Sequence, residues 1–323
     1  MRTGTTERLE PTSGGIARAA EILHAGGRVA FPTETVYGLG ADARDGTAVA
    51  GIYAAKGRPS FNPLIAHVAD VETVQRFVEW SDLADRVARA FWPGPLTLVL
   101  PLRPDAGISE LTTAGLNTLA VRVPAHPLAQ ALLRDFDGPL AAPSANPSGR
   151  ISPTTAAHVL SGLDGAIEGV LMGGACAVGV ESTILGLTPE PVLLRPGGLP
   201  VEALEALLGG PVGVGGAAEA PTSPGQLLSH YAPGAALRLS ATEAGEGEVL
   251  LGFGPVTGDM TLSASGDLHE AAAALFGALH ALDGRGAEVI AVAPIPEHGL
   301  GRAINDRLRR AAAPRDGTVQ GAV

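Results

Sequence analysis

Short apolar segments alternate with amphipathic ones through roughly the first two hundred residues. Apolar runs of about four to eight residues between turn residues are typical of buried strands, whereas apolar positions at the helical period of about 3.6 are typical of helices. This alternation predicts a mixed α/β fold with a many-stranded sheet. The predicted strands are residues 28–32, 63–69, 95–101, 118–124, 139–144, 169–174, 180–187 and 192–197.

Six helical patterns lie between these strands. The first, SGGIARAAEILHAGG, is expected to begin with Ser13 as its N-cap and to end at a glycine. The second, TAVAGIYAAKG, is expected to end near Gly57. The predicted helices are residues 13–27, 47–57, 71–80, 82–92, 126–136 and 154–163.

The pattern is interrupted after about residue 208 by GGPVGVGGAAEAPTSPG, a stretch rich in glycine, alanine and proline whose side chains are too small to form a packed core. Strand and helix patterns then resume in EVLLGFG, LHEAAAALFGALHALD, AEVIAVAP and GRAINDRLRRAAA. The sequence therefore predicts a large domain over residues 1–208, a linker over 209–234 and a small α/β domain over 235–323.

The composition narrows the classes of protein. With 46% hydrophobic and 17% charged residues, the 323-residue chain is of the globular type. The net charge of −11 argues against tight nucleic-acid binding, which depends on neutralising phosphates, although local cationic pockets stay compatible with it. A single cysteine, Cys176, fits a reducing compartment, and no apolar run approaches the ~20 residues of a membrane helix. A cytoplasmic location is expected.

The chain holds one lysine, Lys56, among 22 basic residues. An ammonium is a compact point charge, whereas a guanidinium is a wide planar fork, so a lone lysine in an arginine-rich chain suggests a task that arginine cannot perform. Lys56 and Arg58 stand two apart at a predicted helix end. They are either a favourable charge at the helix C-terminus or a clamp for a polyphosphate.

Other polar residues follow strands or interrupt them. Arg122 and Arg195 each break an apolar strand, which requires either a bound anion or an internal salt bridge. His67 is either a core histidine or a site residue, and Ser144 and Asn146 lie in the turn PSANPSG, where both residue types are common. Phosphate-loop, dinucleotide and zinc signatures are absent from the sequence. Together the candidates suit a nucleotide and a small polar substrate.

The motifs that carry these residues resemble those of the threonylcarbamoyl-AMP synthases, in the long form with a YrdC-like catalytic domain. The resemblance implies an α/β fold with a YrdC-like twisted open sheet, a smaller Rossmann-like α/β C-terminal domain, and a linker that acts as a lid over the active site. It covers nearly the whole chain and rests on PTETVYGLG, KGRPSFNPL, WPGPLT, TLAVRVPAHP, APSAN, GVESTI, LLRPG, SPGQLLSHYAP and RAINDRLRRA.

The resemblance also implies the reaction. L-threonine, bicarbonate or CO2, and ATP with Mg²⁺ would condense to threonylcarbamoyl-AMP and pyrophosphate. The product would supply the threonylcarbamoyl group for a tRNA adenosine, through a separate transfer complex. Neither a membrane nor stable nucleic-acid binding is expected.

By the same resemblance, Lys56 and Arg58 would be catalytic, and no protein side chain would bind a metal. Residues similar to those that contact threonine are Thr35, His67, Arg122, Ala142 and Ser182. Residues similar to those that surround ATP are Lys56, Arg58, Asn62, Thr118, Ser144, Asn146, Ser152, Arg195 and Tyr231. No residue is identified as the general base.

Three alternatives stay open at this point. An RNA-binding module is disfavoured by the acidic charge and by an aromatic content of 4%. Carbamoyl transfer, as in related domains of hydrogenase maturation proteins, would come with zinc-finger cysteines that this chain lacks. A regulatory nucleotide sensor is the third.

Overall fold

A computed structural model describes residues 4–215 and 230–314, so part of the predicted linker, residues 216–229, lies outside the described residues. The contacts divide the chain into two compact units. The described part of the first unit is residues 4–147 and 152–215, and that of the second is residues 148–151 and 230–314.

The first unit is built on a sheet of 11 strands in the order β1-β8-β2-β3-β7-β4-β6-β5-β9-β10-β11, with parallel and antiparallel neighbours. Each predicted strand is present in shortened form. The strands are β1 Glu7–Leu9, β2 Val29–Phe31, β3 Gly38–Asp42, β4 Ile65–His67, β5 Leu96–Pro101, β6 Thr118–Arg122, β7 Leu140–Ala141, β8 Gly169–Leu171, β9 Thr183–Gly186, β10 Val192–Arg195 and β11 Gly213–Val214.

Eight helices accompany this sheet in the described residues. The N-cap of the first helix is Thr12, whose hydroxyl accepts the Gly15 N–H, so the prediction of Ser13 was wrong by one residue. The helices are α1 Ser13–His24, α2 Gly46–Lys56, α3 Val71–Gln75, α4 Asp82–Phe91, α5 Glu110–Thr113, α6 Pro127–Phe136, α7 Ala156–Leu163 and α8 Val201–Leu208.

The predicted helix over residues 71–80 ends early, at Gln75. Beyond it the backbone turns and pairs with the end of β5: Arg103 N–H donates to Phe77 O, and Glu79 N–H donates to Pro101 O. Strand-like pairing therefore replaces the last helical turn.

Two elements carry weak sequence signals. Strand β3 reads GLGAD, and a Cβ at Gly40 would lie 2.8 Å from the Phe31 ring of neighbouring β2, so glycine leaves the room that Phe31 fills. Strand β11 pairs in parallel with β10, inside the segment predicted as linker.

Opposite faces of the central strands have different environments. One face of β5, β6, β9 and β10 packs against α3, α4 and α8 in a large apolar cluster. The other face carries a small cluster, Ile65, Val99, Ala120 and Ile184, with Leu194 partly buried beside it. We call this second surface the site face.

The second unit holds a sheet of four parallel strands in the order β12-β15-β13-β14. Its strands are β12 Ala236–Arg238, β13 Glu248–Gly252, β14 Met260–Thr261 and β15 Val289–Val292, and its helices are α9 Leu268–Asp283 and α10 Gly301–Ala312. Residues 148–151 belong to this unit, where the backbone of Arg150 forms an isolated parallel β-bridge with that of Ala232. A search of the described helices finds none with the length and apolarity to span a bilayer.

We expect Gly197→Ala to destabilise the protein by about 1–3 kcal/mol, the usual cost of overpacking. A Cβ at residue 197 would lie 2.3 Å from the carbonyl carbon of Ser182 and from the amide nitrogen of Thr183, so the backbone must move. Urea unfolding of the full chain, followed by circular dichroism, measures the change. The control is Gly210→Ala, because a Cβ there meets nothing within 4 Å. Equal stabilities of the two variants would contradict this packing argument.

Candidate active site

The site face combines an apolar floor with polar residues at its borders. His67 lies opposite Arg122 across the parallel pair β4 and β6, and Ile65 lies opposite Ala120 on the same face. Thr97 of β5 lies opposite Ile184 of β9. Polar side chains from three strands therefore surround a floor of four apolar ones.

Lys56 ends α2 and turns away from the helix axis. The helix terminus is already satisfied, because Gly57 adopts the left-handed conformation (φ 59°, ψ 37°) and Arg58 N–H donates to Tyr53 O at 3.0 Å. The ammonium instead donates to the backbone carbonyls of Ser144 and Asn146. Burial, and secondarily the charge of Arg58, lower the pKa of Lys56 well below its usual range. Lys56 thus fixes the turn that carries two other predicted site residues.

The loop after α2 carries the guanidinium of Arg58 and the side-chain amide of Asn62. Arg58 donates to Asn62 O at 3.3 Å and to Pro63 O at 2.9 Å, so its guanidinium braces the loop. The Asn62 side chain is fully buried, and neither its oxygen nor its nitrogen meets a hydrogen-bond partner among the described residues. An unsatisfied buried amide costs about 1–3 kcal/mol, so Asn62 is suited to a ligand.

The turn at residues 143–146 is tied to β3. Leu39 N–H donates to Pro143 O at 2.7 Å, and Ala145 N–H donates to Tyr37 O at 2.8 Å. Ala142, just before the turn, donates its N–H to Ile65 O at 2.9 Å, so that N–H is not available to a ligand. The backbone therefore holds this turn beside the amino end of β4.

His67 is neutral at physiological pH. Its side chain is buried, with Nδ1 donating to Ile65 O at 3.2 Å and the ring edge-on to Phe31. Burial, and then the charge of Arg122, lower the pKa of His67 to about 3. The ring can therefore take part in hydrogen bonding without adding charge to the site.

Arg122 forms the internal salt bridge that the sequence left as one of two readings. Its Nη2 lies 2.7 Å from the Glu34 carboxylate, and its Nε donates to Gly94 O at 3.3 Å. Thr35, next to Glu34, is fully buried, and its hydroxyl lies 2.8 Å from that of Thr33. The turn after β2 thus binds Arg122 through Glu34 and holds the hydroxyls of Thr33 and Thr35 against each other.

Ser182 and Arg195 are in direct contact just before the start of β9. Arg195 donates from Nε and Nη2 to Ser182 O at 3.1 and 2.9 Å, and the Ser182 hydroxyl lies 2.7 Å from that of Thr97. Next to them, the Ser152 hydroxyl donates to the carboxylate of Glu181. Both Ser152 and Ser182 are fully buried.

A β-bulge places Arg195 on the site face. Leu193 pairs with Leu185, but Arg195 pairs with Ile184, so two residues of β10 match one step of β9. In regular register, Arg195 would point to the opposite, apolar face, because side chains alternate along a strand.

The two other predicted site residues are Thr118 and Tyr231. Thr118 begins β6, four residues before Arg122, which corresponds to about 13 Å at a rise of about 3.3 Å per residue. Tyr231 lies in the second unit, at a φ of 65°, with its ring 5.7 Å from Phe276 and 5.3 Å from the Arg307 guanidinium.

Sequence reasoning missed three residues of this region. Glu34 and Glu181 lie in the motifs PTETVYGLG and GVESTI without an assigned role, and Thr97 is a polar residue inside the apolar run PLTLVLP. Among the described residues, Glu181 is the one aspartate or glutamate that is buried. An isolated polar residue in an apolar segment was the available signal for Thr97.

Two family models match the chain. The Sua5/YciO/YrdC model, described as "Telomere recombination", matches residues 21–197, and the model described as "Threonylcarbamoyl-AMP synthase, C-terminal domain" matches residues 199–313.

Relatives match over nearly the full length. The chain is 43% identical to the threonylcarbamoyl-AMP synthase of Bacillus subtilis and 42% identical to that of Pyrococcus abyssi, each match covering 96% of both chains. The crystal structure of P. abyssi Sua5 complexed with L-threonine superimposes with a TM-score of 0.88 at 40% identity, over 95% of this chain and 97% of that one.

These matches and the fold define an ATP-using enzyme of the nucleotidyltransferase type. The chain belongs to the threonylcarbamoyl-AMP synthase family. The family, the fold class and the enzymatic function predicted from the sequence are confirmed, whereas the domain boundaries and the roles of single residues stay predictions.

We expect His67 to make the protein less stable in mild acid. The folded-state pKa of about 3 lies below the ordinary 6.5, so the folded state binds fewer protons, and stability is lost as pH falls below about 6.5. The loss amounts to about 2 kcal/mol at pH 5. Urea unfolding at pH 7 and pH 5 should show a smaller drop for His67→Gln than for the wild type. Equal drops would show that His67 does not titrate in this way.

Proposed function

We propose that the site condenses L-threonine, bicarbonate or CO2, and ATP into threonylcarbamoyl-AMP and pyrophosphate. One observation carries the proposal: the buried cations in the described part of the first unit are Lys56, Arg58, Arg122 and Arg195, and all four are predicted substrate contacts. The buried carboxylate near them is Glu181, with Glu34 at 12% side-chain exposure. Such an excess of buried positive charge is favourable only when anions enter the site.

The threonine end would lie at the carboxyl ends of β4 and β6. Arg122 would bind the carboxylate, with Thr35, His67 and Ser182 around the rest of the molecule. Because its N–H is already used, Ala142 would contribute by its position rather than by donating. L-threonine bound to the P. abyssi relative supports this assignment.

The ATP end would lie towards the amino ends of the same strands. Arg58 and Asn62 precede β4, Thr118 begins β6, and Ser144 and Asn146 are fixed by Lys56. The two ends are separated by about 13 Å along β6, a span that suits an extended aminoacyl-type adenylate. Ser152 and Arg195 contact residues 181–182 and would bind the part of ATP that lies nearest to threonine.

The chemistry requires two anions to approach. The threonine amine would add to CO2 and release one proton, giving a carbamate, and a carbamate oxygen would then attack the α-phosphorus in line while pyrophosphate leaves. Neutralisation and positioning dominate such a reaction. Lys56 and Arg58 would balance the charge of the triphosphate. The structure favours no single residue as the acceptor of the amine proton.

The donor set fits a metal ion that arrives with the nucleotide. The described residues contain no group of three or more His, Cys, Asp or Glu side chains able to hold a metal, and Mg²⁺ in ATP sites is held mainly by phosphates, water and one or two carboxylates. Glu181 and the Ser152 hydroxyl would be the neighbouring protein oxygens. Mg²⁺, when bound, would supply further neutralisation of the phosphates.

The remaining assignments follow from the family alone. Residues 209–234 would form a lid and Tyr231 would reach the nucleotide. The product would pass to a tRNA threonylcarbamoyl-transfer complex in the cytoplasm.

We expect pyrophosphate release from ATP and Mg²⁺ to require both L-threonine and bicarbonate, without tRNA. A coupled phosphate assay should show at least about tenfold preference for L-threonine over L-valine, because a site that binds a hydroxyl rejects the isostere lacking it. L-serine and a reaction without amino acid complete the series. ATP binding without release under any condition would refute the proposed reaction.

We expect Lys56→Arg to lower kcat/KM by about 100-fold or more while the protein stays folded, because the planar guanidinium cannot occupy the place between two carbonyls. Steady-state pyrophosphate release and thermal unfolding measure the two effects. Arg89→Lys, a swap at a side chain with 79% exposure, is the matched control and should have normal activity. Normal activity of Lys56→Arg would mean that the ammonium is dispensable.

A further inference from the structure

Glu34 joins three segments around the predicted threonine end. Its carboxylate accepts Nη2 of Arg122 at 2.7 Å through one oxygen and Ala125 N–H at 3.0 Å through the other. Its backbone carbonyl accepts Val178 N–H at 2.7 Å. The turn after β2, the end of β6 and the segment before β9 are thus held by one residue.

The contacts of Arg122 leave one particular edge open. A guanidinium offers a side edge, Nε with Nη2, and an end edge, Nη1 with Nη2, and either can bind a carboxylate with two parallel hydrogen bonds. Gly94 O accepts from Nε of Arg122 and Glu34 accepts from its Nη2, the two nitrogens of the side edge. Across residues 4–215 and 230–314, no protein atom accepts a hydrogen bond from its Nη1. The end edge is therefore the one that a ligand carboxylate can use.

The surroundings of Arg122 make its orientation dependent on Glu34. The Arg122 side chain has 4% exposure, and the adjacent His67 ring is neutral. Glu34 is the one acidic partner that Arg122 has in the described structure. Because an arginine has five N–H donors, a second carboxylate can bind without displacing the first.

We propose that Glu34 is a positioning residue for substrate: it holds the side edge of Arg122 and thereby aims the end edge at the threonine carboxylate. This inference rests on the proposed function, in which Arg122 binds that carboxylate. Glu34 itself does not touch substrate. Its effect should therefore appear in threonine binding and not in ATP binding or in the chemical step.

Glu34→Gln is the informative change because it is nearly isosteric. Both partners of the carboxylate, Arg122 Nη2 and Ala125 N–H, are donors, and a glutamine amide has only one acceptor atom. One of the two bonds must be lost. Glu34→Asp keeps the charge but shortens the chain by one methylene, so it also cannot reach both partners.

The chain provides a matched control in the pair Arg28–Glu168. Glu168 accepts Arg28 N–H at 2.7 Å and Arg28 Nε at 2.9 Å, so it too combines a backbone and a guanidinium donor. This pair lies at the start of β2, whereas Glu34 follows the end of that strand. Glu168→Gln should lower the unfolding temperature without changing threonine binding.

The experiment measures L-threonine binding by calorimetry and steady-state pyrophosphate release for the wild type, Glu34→Gln, Glu34→Asp and Glu168→Gln, all as full chains. For Glu34→Gln we expect about a tenfold rise in the Kd and KM for L-threonine. The KM for ATP, and kcat at saturating threonine, should change less than about twofold. Glu34→Asp should fall between Glu34→Gln and the wild type.

Three results would overturn the inference. Unchanged threonine affinity in folded Glu34→Gln would show that Arg122 needs no such partner. Tighter threonine binding would show that Glu34 competes with substrate, and parallel loss of kcat, both KM values and thermal stability would show a purely structural role. A wild-type protein that neither binds L-threonine nor needs it for pyrophosphate release would instead refute the proposed function, and this inference with it.

Discussion

Buried positive charge is the constraint on which the first unit depends. Four cationic side chains are buried there, and hydrogen bonds to carbonyls and carboxylates replace only part of the hydration that they lose. Lys56 and Arg195 are held largely by backbone oxygens, which also order the turn at residues 143–146 and the start of β9. The same contacts therefore build the local structure and keep the site selective for anions.

The large apolar cluster on the opposite face makes this burial possible. Helices α3, α4 and α8 pack on one side of β5, β6, β9 and β10, and this packing supplies the stability that the polar site face lacks. The division between a stabilising face and a functional face fits the order of residues in β6: Leu119 and Val121 face the apolar cluster, whereas Thr118, Ala120 and Arg122 occupy the alternate positions on the site face.

Much of the fold follows from sequence patterns because the strands are short apolar runs ended by proline or glycine. Lys56 and Arg58 were also accessible, since a single lysine among arginines is a compositional anomaly. The bulge in β10 could not be predicted, because two adjacent residues on one face give no local sequence signal. The bulge nevertheless decides which way Arg195 points. Strand β3 was missed because its glycines are chosen for the space Phe31 needs and not for strand propensity. Glu34 could not be predicted as the partner of Arg122, because the two residues are 88 positions apart and the periodicity of the sequence carries no information on such distant contacts.

The burial of Lys56 has a practical consequence for finding the proteins that this chain meets. Its side chain is the one ε-amino group in the sequence, and the residue has 4% exposure. Amine-reactive cross-linkers, which rely on surface lysines, therefore have no lysine to attach to on the folded protein. The 33 aspartates and glutamates make carboxyl-directed cross-linking the chemistry of choice for capturing neighbours.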